Sequence, residues 1–206
     1  MRWCASVLLA AALAATAAPV RAEECTEQAV AVERERNVPA GLLHAVALVE
    51  SGHNGKPHAY ALRIARRAYY PPDRDAALKQ LRNGKSGFVR QANVGCMQIS
   101  LADYGWAFRP SDAILDPAAN VRFAAEYLVD WKDQYGSWTA ALSRYQGGSA
   151  IERRIYVCTV RAVLAQLVPA SAAAIDGRHC TGKTHPQIDP ANVSEATALR
   201  AAAANK

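Results

Sequence analysis

The sequence predicts a mainly α-helical domain with a small β element, an α+β arrangement. Apolar residues recur at helical spacing through most of the chain, and capping residues stand in front of several of these runs. One stretch departs from that period: Tyr60, Leu62 and Ile64 occupy alternate positions, as in a strand. At 206 residues, with 51% of them hydrophobic and 20% charged, the chain can bury one substantial core.

A first helix is predicted from Thr26 as N-cap through Arg36, with Glu27 in the first turn and Ala29, Val30 and Val32 facing inward. Asn37-Val38 breaks it. The second helix opens at Pro39, carries Leu42, Leu43 and Val46, and stops at Gly52. The alternating segment and Ala68-Tyr69-Tyr70 read as a short, irregular hairpin before Pro71-Pro72. Asp73 or Asp75 starts a helix with Leu78 and Leu81, closed by Asn83-Gly84. Phe88 to Ile99 reads as extended, and Ser100 caps a short helix ending near Tyr104-Gly105.

The second half follows the same rules. Asp116-Pro117 sets an N-cap before a proline at the first helical position, and Val121, Ala125, Leu128 and Trp131 continue to Tyr135-Gly136. Ser137 caps the next helix, whose stripe is Trp138, Ala141, Leu142 and Tyr145 before Gly147-Gly148. A last helix takes Ile151, Ile155, Val157, Cys158, Arg161 and Leu164 to Val168-Pro169. Weak periodicity afterwards predicts a flexible tail over 170–206, leaving one domain over 23–169.

Met1-Arg2, an apolar run from Ala5 to Ala18 and Pro19-Val20-Arg21-Ala22 have the form of a secretory signal peptide, residues 1–22, cut after Ala22. The run is short for a membrane span, so no transmembrane segment is expected after cleavage. Export places the rest of the chain in the periplasm of a Gram-negative-type envelope. Losing Arg2 and Arg21 lowers the formal net charge from +6 to about +4. The remaining excess gathers between Lys56 and Arg90, and in an exported chain its counterpart is an anionic envelope surface or polymer, not nucleic acid. In an oxidising compartment Cys25, Cys96, Cys158 and Cys180 allow three pairings, among which sequence alone does not choose. Their predicted placement favours Cys25 with Cys158, leaving Cys96 a buried thiol. Cys180, His179 and His185 lack zinc-site spacing, so no metal and no cofactor are expected.

The chemistry concentrates at Glu50. Four-residue steps from Leu42 through Val46 land on it, so a carboxylate shares the apolar face of its helix. Burial and the negative end of the helix should both raise its pKa, as a general acid near neutral pH requires. Gly95-Cys96-Met97-Gln98-Ile99 and Ser143-Arg144-Tyr145-Gln146-Gly147-Gly148 combine glycine, polar side chains and apolar anchors, as a groove for a hydroxyl-rich ligand would. Gln98 can both donate and accept, and Tyr145 joins a phenol to an apolar body.

Taken together, Glu50-Ser51, Gly95-Cys96-Met97-Gln98-Ile99, the helix with Asp116-Pro117, Asn120-Val121 and Ala125-x-Tyr127-Leu128, and Ala141 to Gly148 occur in the order of a known pattern. Over Val38 to Gly148 the chain resembles the soluble lytic transglycosylase (SLT) domain family of the lysozyme-like superfamily. The resemblance implies a lysozyme-like helical fold and cleavage of peptidoglycan glycan strands. It implies Glu50 as the catalytic acid and base, with Ser51, Tyr60, Met97, Gln98, Tyr145 and Gln146 at the substrate. Cys96 stands where the family usually has leucine, and Gln146 where it usually has asparagine. The long stretch between Glu50 and Gly95 resembles versions found near conjugation and type IV secretion machinery, which implies such an apparatus as a partner.

In such enzymes one carboxyl protonates the bond between N-acetylmuramic acid and N-acetylglucosamine, then accepts the proton of the muramic acid's own hydroxyl. The product is a 1,6-anhydro sugar, so no second carboxylate is needed, unlike the paired-carboxylate hydrolases. Asp103 and Asp112 stand nearest to such a second role, since Asp116 reads as a helix cap. Two other readings share the resemblance: a goose-type lysozyme-like hydrolase using water, and a non-catalytic peptidoglycan-binding assembly protein of a secretion complex.

Overall fold

The computed structural model describes residues 24–83, 87–181 and 187–204. The leader expected over residues 1–22 lies outside them. The fold class is the expected one: helices surround one central helix, with a small antiparallel sheet on one side.

The central helix is α2 (Leu42–Ser51), which packs against α1 (Glu24–Glu35) and α7 (Ala150–Leu167). Leu42, Leu43, Ala45, Val46 and Ala47 are all fully buried, so α2 is apolar around its circumference, as an interior helix must be. It begins at Leu42, not Pro39, after Gly41 in the left-handed region. No side chain of its own caps it. Glu33 of α1 does so instead, accepting from Gly41 N (2.7 Å) and His44 N (3.1 Å) while itself buried.

The sheet runs in the order β2 (Arg67–Tyr69), β1 (Leu62–Ile64), β5 (Ala92–Val94), β6 (Ile99–Ser100), with Leu62 opposite both Tyr69 and Val94. Between β2 and β5 lie α3 (Arg74–Leu81) and a second pair, β3 (Arg82–Asn83) with β4 (Gly87–Phe88). After β6 come α4 (Leu101–Tyr104), α5 (Pro117–Tyr135) and α6 (Trp138–Gln146). The expected caps form: Asp73, Ser100, Asp116 and Ser137 each accept from a backbone N–H of the first turn. Each contributes about 1 kcal/mol. Ser149 and Glu152 add a reciprocal capping box at α7.

Four expectations need correction. Thr26 is not an N-cap. It lies fully buried within α1, where its hydroxyl accepts from Asn192. Ile151 and Ile155 do not face inward: they are 63% and 55% exposed, while Tyr156, Val157, Val160 and Leu164 carry the buried face of α7. Stepping by four from Ile151 follows the wrong stripe of a helix with apolar residues on more than one side.

The segment beyond 170 is not a bare flexible tail. Its described part contains α8 (Pro190–Ala204), which packs on α1 with Ala196 fully buried. Asn192 accepts from the His44 ring Nε2 at 2.8 Å, and Arg200 lies 3.6 Å from Glu33. An alanine-rich helix has little periodicity to detect, yet small side chains allow close docking.

The disulfides are Cys25–Cys96 and Cys158–Cys180, so neither the expected Cys25–Cys158 pair nor a free Cys96 thiol exists. Helical period places a cysteine on a face but does not say which element lies opposite. The start of α1 meets the loop before β6, and Cys158 meets the segment after α7. Closing 71 and 22 residues restricts the unfolded chain by about 4 and about 3 kcal/mol in the chain-entropy account. Cys180, bonded to sulfur, is no metal ligand, and His185 lies outside the described residues.

Candidate active site

Glu50 sits in the last turn of α2, and Gly52 closes that helix. A Cβ on Gly52 would stand 2.2 Å from the Leu48 carbonyl oxygen, so only glycine lets the chain turn away here. Part of Glu50 remains accessible, yet its surroundings are dense enough to push its pKa up to about 7. Burial is the cause; the Tyr156 hydroxyl and the Arg63 guanidinium work against it. Tyr156, on the buried face of α7, brings its hydroxyl to the Glu50 carboxyl without reaching good hydrogen-bond geometry, and that oxygen has no other partner among the described residues.

Ser51 is buried at 1% exposure, so it cannot touch a ligand in this arrangement. Its hydroxyl lies 2.8 Å from the Cys96 carbonyl and 3.0 Å from that of Ala47, and accepts from His58 N at 3.2 Å. One small side chain thus holds the end of α2, the 95–98 loop and the entry to the sheet together.

That loop is shaped by Asn120 of α5, which is fully buried. Its Oδ1 accepts from Met97 N (2.9 Å), and its Nδ2 donates to the carbonyls of Val94 (3.0 Å) and Ile114 (2.9 Å). Gly95, at φ +81°, passes so close that a Cβ would lie 2.5 Å from the Asn120 Nδ2. Gln98 adopts φ +48°, and its Nε2 donates to the carbonyls of Ala61 (3.0 Å) and Gly95 (3.1 Å). Its side-chain carbonyl is left to accept from a ligand. Tyr145 donates to the Met97 carbonyl at 2.6 Å, and its ring stacks at 6.4 Å from that of Tyr156. Burial first, then the neighbouring Glu50 charge, raise the phenol pKa of Tyr145 well above its usual value.

The expected site residues therefore divide into two sets. Gln98, Tyr145 and Gln146 line one cavity of about 330 Å³. Ser51, Tyr60 and Met97 are buried beneath the groove, with Tyr60 and Met97 in the core, and they support the site without lining it. Gln98 is as buried as Tyr60, so what separates the two sets is which side chains border the cavity, and motif spacing carries no information about that. Of the acidic residues weighed as a second carboxylate, Asp116 caps α5 and Asp112 pairs with Arg74 at 2.6 Å. Asp103 borders the cavity.

Sequence reasoning missed an aromatic wall. Phe123, Tyr127 and Trp131 lie four residues apart on α5, and their rings contact in series at 4.8 and 5.4 Å. Trp131 then meets Tyr145 at 6.4 Å, and Tyr104 joins from α4. The four-residue aromatic spacing was the available signal. Tyr156 was missed because a stripe through Ile151 and Ile155 passes it by.

A family model described as Transglycosylase SLT domain matches residues 28–156. The chain belongs to the SLT transglycosylase family. The match to this SLT domain spans Glu50, the 95–98 loop and α6, and ends at Tyr156. Cys25, Cys158, Cys180 and α8 lie outside it. No curated protein and no solved structure matches the chain. Lytic transglycosylation of peptidoglycan is the activity typical of SLT domains, and peptidoglycan is the substrate class that membership implies.

Proposed function

We propose that the chain is a peptidoglycan lytic transglycosylase in which Glu50 alone serves as acid and then as base. The observation that carries this reading is Glu50 itself: a partly accessible carboxyl, its pKa raised by burial to about 7 so that about half of it is protonated at neutral pH, with its charge acting on Tyr145 of the groove that Gln98 and Gln146 also line. The protonated carboxyl donates to the glycosidic oxygen as the bond from N-acetylmuramic acid to N-acetylglucosamine breaks. The electron pair of that bond leaves with the oxygen, and an oxocarbenium-like or acetamido-stabilised oxazolinium species forms at C1. Ionised Glu50 then takes the proton of the muramic acid's 6-hydroxyl as that oxygen bonds to C1, closing a 1,6-anhydro ring. The proton inventory returns to its start and no water is consumed.

The neighbours fit both halves of the cycle. Arg63 and Tyr156 favour the ionised carboxylate formed after donation, and the apolar surroundings favour the neutral acid before it. The ring faces of Tyr127 and Trp131 suit the apolar faces of sugars, and the Gln98 carbonyl suits an amide N–H or a hydroxyl.

The cellular setting is part of the same proposal. The leader-like residues 1–22, the two disulfides and the substrate class support export to the periplasm. Among the described residues no helix is long and apolar enough to cross a membrane. The resemblance of the long stretch between Glu50 and Gly95 to versions found near conjugation and type IV secretion machinery supports such an apparatus as the assembly this enzyme serves.

Mass spectrometry of products from purified peptidoglycan tests the reaction. Anhydro ends are expected. Reducing ends formed with water would replace this reading with hydrolysis.

A further inference from the structure

Beside the groove lies a second cavity of about 570 Å³, formed by Trp131, Tyr135, Ala140, Ser143, Arg144 and Arg153 together with Tyr104 and Gly147. It shares Tyr104, Trp131, Arg144 and Gly147 with the groove cavity, so the two adjoin. No carboxylate lines it. Among the described residues neither Arg144 nor Arg153 has an ion-pair partner.

Both guanidiniums are held in place by groups that leave their charge unneutralised. Arg144 stacks over the Tyr135 ring at 3.4 Å, which keeps the N–H edge of its planar fork available. Arg153 donates from Nη1 to the Gly148 carbonyl, in the first turn of α7, where the helix end adds positive potential. The nearest acid on that turn, Glu152, is committed to Ser149 through the capping box. A smaller cavity of about 300 Å³ shares Ser143 and Arg153 and continues to Arg154, His179 and Asp176, whose carboxylate is paired with Arg178. The groove thus adjoins a side cavity with two arginines and an aromatic floor.

A glycan backbone is uncharged and gives two fixed guanidiniums nothing to pair with. The peptide carried on the lactyl ether of muramic acid bears free carboxylates, and planar carboxylates are what an arginine fork binds best. We propose that this side cavity is a binding site for the carboxylate-bearing peptide branch of the strand, with Arg144 and Arg153 as its anion contacts. The inference rests on the peptidoglycan reading above and adds that the strand is recognised together with its peptide.

The test uses the full chain carrying Glu50→Gln, so that no strand turns over during binding. Three probes are titrated: strands with their peptides, strands stripped of peptide by an amidase with the lactyl carboxylates so released capped as methylamides, and strands whose peptide carboxylates are capped as methylamides. Peptide-bearing strands should bind about tenfold tighter than stripped ones, and capping should remove the gain. Adding Arg144→Gln and Arg153→Gln should bring the ratio to about one. Each single variant is measured as well, with a thermal melt, so that a misfolded double variant still leaves the comparison decisive. Equal affinity for all three probes, or a preference that survives both substitutions, overturns the site. Product analysis that finds hydrolysed ends would sink the transglycosylase reading and leave this one standing. Failure to bind any strand sinks both.

Discussion

The Ser51 hydroxyl lies 2.8 Å from the carbonyl of Cys96, joining the residue after Glu50 to the 95–98 loop. Cys96 is in turn bonded to Cys25 at the start of α1. The relative position of Glu50 and Gln98 therefore depends on a short chain of contacts, one hydroxyl and one disulfide. Neither group is among those lining the groove.

Replacing Glu50 by Gln should lower the cleavage rate by about 10²- to 10⁴-fold, the usual contribution of a positioned acid–base group. The same substitution should stabilise the protein in alkali. Between the ordinary 4.5 and about 7 the folded chain keeps a proton that the unfolded chain has lost, so stability falls as pH rises through that window. The loss amounts to at most about 3 kcal/mol above pH 7 and vanishes below pH 4.5. Thermal melts at pH 4 and pH 8 check it: Glu50→Gln should melt higher than wild type at pH 8 only. A variant destabilised at pH 8 would mean that Glu50 is not held against its ionisation.

Cleavage that needs protonated Glu50 should decline as pH rises past about 7. Tyr156 and Arg63 both favour the ionised carboxylate, so removing either raises its pKa. Tyr156→Phe and Arg63→Gln should move the alkaline limb of kcat/KM to higher pH, with lower maximal rates. A limb that stays in place in both variants would show that the titrating group is not Glu50.

Asn120→Ala should destabilise the fold by about 3 kcal/mol or more, because it strands Met97 N and two carbonyls in a buried site. Denaturant melts measure the loss. Activity should fall with it even under conditions where the variant is folded, since Met97 and Gln98 then lose their support. Wild-type turnover by a folded variant would mean that the loop keeps its shape without Asn120.

Peptide mapping without reduction should recover Cys25 with Cys96 and Cys158 with Cys180. Replacing Cys25 and Cys96 by Ser should lower stability by about 4 kcal/mol. It should also impair turnover more than replacing Cys158 and Cys180 does, because only the first bridge ends in the 95–98 loop. Equal effects on turnover would detach the loop's function from its tether.

Local features of this protein are legible in its sequence. Caps at Asp73, Ser100, Asp116 and Ser137 are hydrogen bonds between a side chain and its own first turn, so residue type and position suffice to find them. The interior position of α2 follows from its unbroken apolar run, and the ordered motifs point to the SLT family. What stays hidden involves partners distant along the chain. Glu33 capping α2 from α1, Asn192 reaching His44, and Cys96 meeting Cys25 leave no local mark. Tertiary packing likewise separates Gln98 and Tyr145, which border the groove cavity, from Ser51, Tyr60 and Met97, which do not.

Residue order by itself determined the helices and their caps, and that Glu50 stands in the last turn of α2, because a helix's period and its caps are set by neighbours within a few positions. Only the packed fold decided how acidic Glu50 is, which cysteines meet, and which arginines stand without a carboxylate. Those properties are sums over atoms brought together from elements far apart in the chain, and solvent exclusion exists only once those elements have closed around the site.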